Sequence, residues 1–229
     1  MGLVKKYSVI VKEIEHPLPN IYVVVFESQN GIFRYKPGQF LHLTLDEYDP
    51  SRQWPESRCF SIQTSPQQEY LKITYSVKGD YTKRIAQELT VGKNVWIKMP
   101  YGELFSTLSP KTHCVFIAGG TGVTPYLSLF SSEQFRSFES PVLYFGAHSE
   151  QYNIYKKEFE QACRFNPSFK IISKYEDIAG LLNIDHILQQ NSLQSVYYLS
   201  GPPKMIKSFK IFLASKNVPR SNIKTDEWE

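Results

Sequence analysis

The chain has 229 residues, of which 41% are hydrophobic and 21% charged, and a formal net charge of +4. This length suits two domains of ordinary size, and the mixed composition excludes a disordered chain. The basic residues are scattered, which argues against a nucleic-acid-binding arm. The cysteines Cys59, Cys114 and Cys163 are isolated, so the sequence predicts no disulfide framework, zinc site, iron–sulfur cluster or other metal site.

Membrane and export signals are also missing from the sequence. No run of about 18 apolar residues occurs, and the N-terminal segment does not have the pattern of a signal peptide. We therefore expect no membrane span and a soluble, cytoplasmic protein. The sequence leaves the oligomeric state open.

The first hundred residues consist of short, alternating segments separated by turn dipeptides such as Asn30-Gly31 and Pro37-Gly38. This pattern predicts an antiparallel barrel or sandwich, interrupted by one helix over Asp80 to Leu89. The six predicted strands are Tyr7 to Val11, Ile21 to Glu27, Gln39 to Leu45, Cys59 to Ile62, Leu71 to Val77 and Val95 to Met99.

From residue 113 the pattern changes to continuous apolar strands that alternate with helices, which indicates a parallel sheet covered on both faces. The linker is predicted over Leu104 to Lys111. The predicted strands are Cys114 to Ala118, Val142 to Phe145, Phe169 to Ile172 and Val196 to Leu199. Helices are predicted near 124 to 135, 151 to 164, 183 to 190 and 203 to 215.

The most distinctive local segment is Ala118-Gly-Gly-Thr-Gly-Val-Thr-Pro125, directly after the first of these parallel strands. Glycines let the backbone turn sharply and approach a pyrophosphate, and Pro125 suits a first helical turn. No Lys-Ser or Lys-Thr follows, so the segment is not the phosphate loop of an ATPase. A tight strand-to-helix turn with no ligand remains the alternative interpretation.

This segment resembles the nicotinamide-binding signature of the ferredoxin-NADP reductase superfamily, and four further motifs follow the family's order. Arg58-Cys-Phe-Ser61 resembles the flavin motif Arg-x-Tyr-Ser, and Val77-Lys-Gly-Asp-Tyr-Thr82 resembles the turn that binds the flavin pyrophosphate. Met99 to Phe105 and Ser200-Gly-Pro-Pro-Lys-Met205 resemble the segments Gly-Pro-x-Gly-x-Phe and Cys-Gly-Pro-Pro-x-Met. The ordered set covers residues 35 to 205.

The resemblance implies a six-stranded antiparallel FAD-binding barrel, residues 1–106, followed by a five-stranded parallel-sheet NAD(P)-binding domain, residues 107–229. It implies a hydride transfer from NAD(P)H to FAD. The electrons then pass to a separate protein, such as ferredoxin, flavodoxin or an oxygenase component, because the chain has no iron–sulfur domain of its own. A flavin-binding subunit of a larger complex, without independent turnover, is the alternative hypothesis.

In the flavin motif, the resemblance assigns Arg58 to the flavin phosphates, to which its guanidinium offers a fork of donors. Phe60 replaces the family's Tyr, so it keeps a ring for stacking but lacks the hydroxyl. Ser61 would hydrogen-bond flavin N5, and Cys59 lies between them. A surface arginine and a serine bonded to backbone are the structural alternatives.

In the pyrophosphate turn, Gly79 and Thr82 bracket the start of a helix whose amides can face phosphate oxygens. Lys78 would add positive charge, although an exposed lysine at a strand end is equally expected. The remaining members of this predicted site are Val77, Asp80 and Tyr81. An ordinary helix cap is the alternative.

For the nucleotide, the resemblance assigns contacts to two turns. Ser200 replaces the family's Cys beside the nicotinamide, so its positioning of the ring differs from that of a thiol. The other predicted contacts are Gly120, Thr121, Gly122, Thr124, Pro125, Gly201 and Pro202.

Nucleotide preference depends on groups near the 2′-phosphate, which similar enzymes place after the second and third parallel strands. Here these are His148-Ser149 and Ser173-Lys174, which favour NADPH slightly, while Glu150 would suit the free hydroxyl of NADH. At the C-terminus, Glu227 is a candidate proton relay and Trp228 a candidate cover for a cofactor ring. A final strand that packs into the core is the alternative there.

Overall fold

The computed structural model describes residues 3–106 and 113–226. The chain divides into two compact units, Met1–Glu103 with Leu127–Leu129, and Leu104–Tyr126 with Phe130–Glu229. Each unit contains one sheet and its own buried hydrophobic cluster.

Six strands within residues 3–106 pair antiparallel in the order β4-β3-β6-β1-β2-β5, and the two end strands β4 and β5 also contact each other. The result is a nearly closed barrel, as the sequence predicted. The elements are β1 (Lys5–Leu18), β2 (Ile21–Ser28), β3 (Phe40–Thr44), β4 (Arg58–Ser61), β5 (Tyr70–Ser76), helix α1 (Asp80–Glu88) and β6 (Asn94–Tyr101).

Alternation of side chains builds the barrel core. Along β1, Tyr7, Val9 and Val11 are buried, and the residues between them point outward. The strand then continues to Leu18 with mostly exposed side chains, because its backbone still pairs with β2. Backbone pairing needs no apolar side chains, so the sequence pattern predicted only the buried first half.

The strands within residues 113–226 form a parallel sheet of five, in the order β11-β10-β7-β8-β9. This confirms the predicted second fold. The elements are β7 (Cys114–Gly119), α2 (Thr124–Phe130), β8 (Val142–Ala147), α3 (Lys156–Phe165), β9 (Lys170–Tyr175), α4 (Glu176–Ala179), α5 (Ile184–Gln189), β10 (Val196–Ser200), α6 (Pro203–Ser215) and β11 (Ile223–Thr225), with 3₁₀ turns at Gly120–Val123, Glu133–Ser137, Glu150–Tyr152 and Arg220–Asn222.

The central strand β7 is fully buried from Cys114 to Ala118. On one face Phe116 stacks on Tyr198 at 5.2 Å between ring centroids, and meets Phe130 edge-on at 5.1 Å. On the other face Val115 and Ile117 join a mainly aliphatic cluster. Close packing on both faces fixes the carboxyl end of this strand, where the glycine-rich turn begins.

Element ends differ from the predictions in the second half of the chain. The helix predicted near 124 to 135 ends at Phe130 and is followed by a separate 3₁₀ turn, and the helix predicted near 151 to 164 begins only at Lys156. Strand β9 runs to Tyr175 rather than Ile172, because it lies at the sheet edge and its polar end still pairs with β8. Apolar spacing does not locate such ends.

Across residues 3–106 and 113–226, no helix is long and apolar enough to cross a membrane.

Candidate functional site

The flavin motif forms strand β4, which pairs with β3 through Leu41 opposite Phe60. Phe60 is 8% exposed and belongs to the barrel core, with its ring centroid 5.6 Å from that of Tyr75. Arg58, at the start of the same strand, is exposed. The predicted stacking of Phe60 on a flavin ring stays a prediction.

The other two residues of β4, Cys59 and Ser61, alternate with Arg58 and Phe60 and face the other side of the strand. Cys59 is half-buried, with its Sγ 3.5 Å from Nε2 of His42, and burial raises the pKa of its thiol. A raised pKa keeps this thiol protonated at neutral pH, which disfavours a nucleophilic role for Cys59. Ser61 ends the strand, is partly buried and lies opposite Phe40.

The predicted pyrophosphate turn leads from β5 into α1. The Thr82 hydroxyl accepts hydrogen bonds from the amides of Lys78 (2.9 Å) and Gly79 (3.0 Å) and donates to the Gly79 carbonyl (2.9 Å). Thr82 therefore caps the helix, as in the alternative interpretation, and its hydroxyl is already bonded within the turn. The amides that remain without a helical acceptor are those of the first turn, from Asp80 onward.

The other members of this turn have clear positions. The Val77 amide donates to the carbonyl of Asn20, and the exposed Asp80 pairs with Lys83 at 3.2 Å. An added Cβ at Gly79 would meet no atom within 4 Å, so the surface in front of this turn is open. An open glycine at a helix start fits the close approach of a phosphate.

The structure brings the flavin motif and the pyrophosphate turn together. The guanidinium carbon of Arg58 lies 5.0 Å from the ring centroid of Tyr81, which is within cation–π distance. Tyr81 is the residue immediately before Thr82. A cation and a helix start are thereby placed side by side, and this donor set suits a phosphate.

In the second unit, Gly120–Val123 is a 3₁₀ turn, and Gly120 has a φ of +54°. The Thr124 hydroxyl donates to the carbonyl of Thr121 at 2.9 Å, and Pro125 follows in the first turn of α2. An added Cβ at Gly120 would meet nothing within 4 Å. This turn is therefore internally braced and open in front of Gly120.

The turn after β7 and the turn after β10 pack backbone against backbone. An added Cβ at Gly122 would lie 2.5 Å from the Cα of Gly201. At Gly201, where φ is +142°, it would lie 2.9 Å from the amide nitrogen of Gly119. Pro202 then leads into α6, with its Cδ 2.7 Å from a Cβ built on Gly119. Neither turn can accept a side chain where they meet.

Ser200, at the end of β10, is 2% exposed and donates to Oδ2 of Asp226 at 3.1 Å. The Asp226 amide in turn donates to the carbonyl of Leu199. Because the hydroxyl hydrogen points to a carboxylate, the Ser200 oxygen can only accept from another group. Burial, with the Asp226 charge as a second cause, raises the pKa of the neighbouring Tyr126 well above its usual value.

Asp226 was not predicted from the sequence, which proposed Glu227 instead. Glu227 and Trp228 lie outside the described residues. The signal that points to Asp226 is its position directly after β11, a strand parallel to β10 and adjacent to it. Carboxyl ends of adjacent parallel strands share one sheet edge, so the residue after β11 lies near Ser200.

The four residues predicted near a 2′-phosphate are placed differently from one another. His148 and Ser149 follow β8 as predicted; His148 pairs with Glu176 at 3.2 Å, and the buried Ser149 hydroxyl has no hydrogen-bond partner among the described residues. Ser173 and Lys174 lie within β9, opposite Phe145 and Gly146, rather than after the strand.

The sequence matches two protein-family models. Residues 4–125, more than half of the chain, match an FAD-binding domain, and residues 116–210 match an oxidoreductase NAD-binding domain. Together with the barrel and the parallel sheet, these matches define a flavin- and nicotinamide-dependent oxidoreductase.

Known proteins agree with this class. The chain is 24% identical to a flavohemoprotein of Rhizobium meliloti, over 84% of this chain and 53% of that protein. It is 24% identical to the reductase component of propane 2-monooxygenase of Mycolicibacterium smegmatis, over 86% of this chain and 60% of that protein. The chain thus spans little more than half of these relatives.

Among solved structures, the fold is similar to that of a ferredoxin NADP⁺ reductase from Neisseria gonorrhoeae with bound FAD and NADP. The TM-score is 0.76 at 16% identity, and the match covers 99% of each chain. The chain belongs to the family of proteins with this FAD-binding domain, and an oxidoreductase NAD-binding domain follows it. Its fold is that of a ferredoxin-NADP reductase, and its two domains are those of an FAD-dependent NAD(P)H oxidoreductase.

Proposed function

We propose that this chain takes a hydride from NAD(P)H onto FAD and passes the electrons to a separate protein acceptor. Residues 1–106 would hold FAD and residues 107–229 the nicotinamide nucleotide. One observation supports this most: in each unit, two distant motifs meet. Arg58 lies beside the start of α1, and the turn at Gly122 packs on the turn at Gly201.

On the flavin side, Arg58 would donate charge-assisted hydrogen bonds to the phosphates, together with the first amides of α1. Ser61 would orient the flavin at N5, and Phe60 would contact its ring from the barrel. FAD, when bound, accepts two electrons as a hydride and releases them singly.

On the nucleotide side, the backbone of Gly120–Gly122 would meet the pyrophosphate. Ser200 would accept a hydrogen bond from the nicotinamide carboxamide, which is a donor, since its own hydrogen is held by Asp226. This arrangement would fix the ring for transfer, and positioning of the reacting atoms is a large contribution that a protein can make to such a step.

NADPH is the nucleotide that we propose. Its 2′-phosphate would lie near His148, Ser149 and Lys174, whereas Glu150, the group that would suit NADH, is paired with Lys156 at 2.7 Å. The hydrogen bond from Lys156 lowers the pKa of Glu150, so the two residues form a charged pair at neutral pH. A carboxylate already paired with lysine is less available to a ribose hydroxyl.

The acceptor would be an oxygenase component or a small electron carrier such as ferredoxin or flavodoxin, and we propose a cytoplasmic location. The similarity to the reductase component of a monooxygenase supports an oxygenase partner.

Turnover with ferricyanide tests this proposal. FAD-loaded protein should reduce ferricyanide steadily with NADPH and more slowly with NADH. Protein that retains FAD but shows no turnover with either nucleotide would instead be a subunit without independent activity. Substitution of Ser200 by Cys, the family's residue, is the matched variant and should keep turnover.

A further inference from the structure

The Arg58 side chain is held by three neighbouring residues, and all three lie outside the flavin motif Arg58–Ser61. One terminal nitrogen, Nη1, donates to the carbonyl of Ser57 at 3.0 Å, and Nη2 lies 3.5 Å from a carboxylate oxygen of Glu56. The guanidinium carbon lies over the ring of Tyr81, 5.0 Å from its centroid. An exposed arginine is thus contacted by an aromatic ring and at both terminal nitrogens.

Tyr81 itself is held firmly. It is 5% exposed, and its hydroxyl donates to the carbonyl of Glu56 at 2.8 Å and accepts from the amide of Leu45 at 3.3 Å. The hydroxyl therefore binds the segment that leads into β4, two residues before Arg58. The same side chain holds both the guanidinium and the backbone that carries it.

Tyr81 also belongs to the helix start at which a phosphate would bind. It lies in the first turn of α1, between Asp80 and the capping residue Thr82. Its backbone amide is one of those without a helical acceptor at the start of α1, and its ring contacts Arg58. It joins the two elements expected to hold the flavin phosphates.

We propose that Tyr81 is a positioning residue for Arg58, which orders the guanidinium for the flavin phosphates before flavin binds. This inference rests on the proposed function. A long arginine side chain loses rotamer freedom when it binds a ligand, and a platform that orders it beforehand lowers this cost. The effect of Tyr81 on flavin binding should therefore require both Arg58 and a phosphate.

The test uses apo-protein titrated with FAD and with riboflavin, which has the same ring system but no phosphate. Tyr81→Leu should weaken FAD binding about 5- to 30-fold, the range of a partly desolvated cation–π contact, and change riboflavin binding less than about 2-fold. Tyr81→Phe keeps the ring and should bind FAD within about 3-fold of the wild-type affinity. In an Arg58→Ala background, Tyr81→Leu should cause no further loss.

Tyr7→Leu is the matched control for folding. Tyr7 is also a buried barrel tyrosine whose hydroxyl donates to a backbone carbonyl, that of Ile32, and it has no contact with Arg58 in the described structure. This variant should lower the thermal unfolding temperature but leave the ratio of FAD to riboflavin affinity unchanged.

Two results would overturn the inference. One is an equal loss of FAD affinity and riboflavin affinity in Tyr81→Leu, and the other is a loss of FAD affinity on Tyr81→Leu that is just as large in the Arg58→Ala background. If Tyr81→Leu does not fold, Tyr81→Phe and Tyr81→Trp decide, since both should keep the preference for FAD. Wild-type protein that binds neither FAD nor riboflavin would overturn the proposed function as well.

Discussion

At Gly79 an added Cβ would meet no atom within 4 Å, whereas at Gly122 it would lie 2.5 Å from the Cα of Gly201. Both glycines belong to turns that we assign to phosphates, one in each unit. The pyrophosphate turn, Val77–Thr82, is held by the side chain of Thr82, which hydrogen-bonds two amides and a carbonyl. The turn after β7, Gly120–Val123, is held by backbone packing against the turn at Gly201.

This difference separates two roles of glycine. At Gly122 the glycine is required by the protein itself, because backbone atoms of the neighbouring turn occupy the position of a side chain. At Gly79 the fold does not require glycine, and its φ of −137° is accessible to any residue. Only a bound phosphate would make glycine necessary there.

Gly122→Ala should have the largest effect. Overpacking against backbone that cannot move aside costs about 3 kcal/mol, the upper part of the range for such substitutions. Binding of NADPH and NADH should weaken about 100-fold, while FAD binding stays within about 2-fold of wild type. Titration with each nucleotide measures this. Unchanged NADPH affinity would contradict the proposal that the close packing of Gly122 on Gly201 shapes the nucleotide site.

Arg58→Ala should follow in magnitude. Loss of a charge-assisted hydrogen bond to phosphate should weaken FAD binding by about 1.5 to 3 kcal/mol, with no effect on nucleotide binding. Fluorescence quenching of FAD measures the affinity. Flavin occupancy equal to that of wild type would remove Arg58 from the site.

Asp226→Ala should have a moderate effect. The substitution frees the Ser200 hydroxyl to rotate, so the nicotinamide loses a fixed acceptor, which corresponds to about 0.5 to 1.5 kcal/mol. The rate of flavin reduction by saturating NADPH should fall about 2- to 10-fold. In Asp226→Asn, which retains an acceptor oxygen, this rate should fall less. Equal rates in all three proteins would contradict this role.

Gly79→Ala should have the smallest effect on the protein and sharpens the contrast with Gly122. The free energy of unfolding of the apo-protein should change by no more than about 0.5 kcal/mol, since the position is open and its backbone is ordinary. FAD binding should weaken more than riboflavin binding. Urea unfolding and flavin titration measure the two effects. A large loss of stability in the apo-protein would contradict the finding that the space in front of Gly79 is open.

Much of the fold was predictable from the sequence, because buried strands carry their own pattern. The segment Cys114 to Ala118 and the alternation of Tyr7, Val9 and Val11 reflect burial directly. The order of the motifs also predicted which glycine turns would face the cofactor phosphates.

The contacts between motifs were not predictable, since they depend on strand register and side-chain direction. Asp226 meets Ser200 because β11 ends at Thr225 beside β10. The contact of Tyr81 with Arg58 likewise depends on where the start of α1 lies relative to β4, which spacing along the chain does not specify.

Anaerobic titration of the FAD-loaded protein with NADPH tests the central claim most directly, that each unit holds one cofactor of a single hydride transfer. We predict that the visible absorbance of the flavin is lost with one equivalent of NADPH, and that Gly122→Ala requires a large excess. Protein that takes up no FAD, or whose bound flavin keeps its absorbance with both NADPH and NADH, would contradict the account.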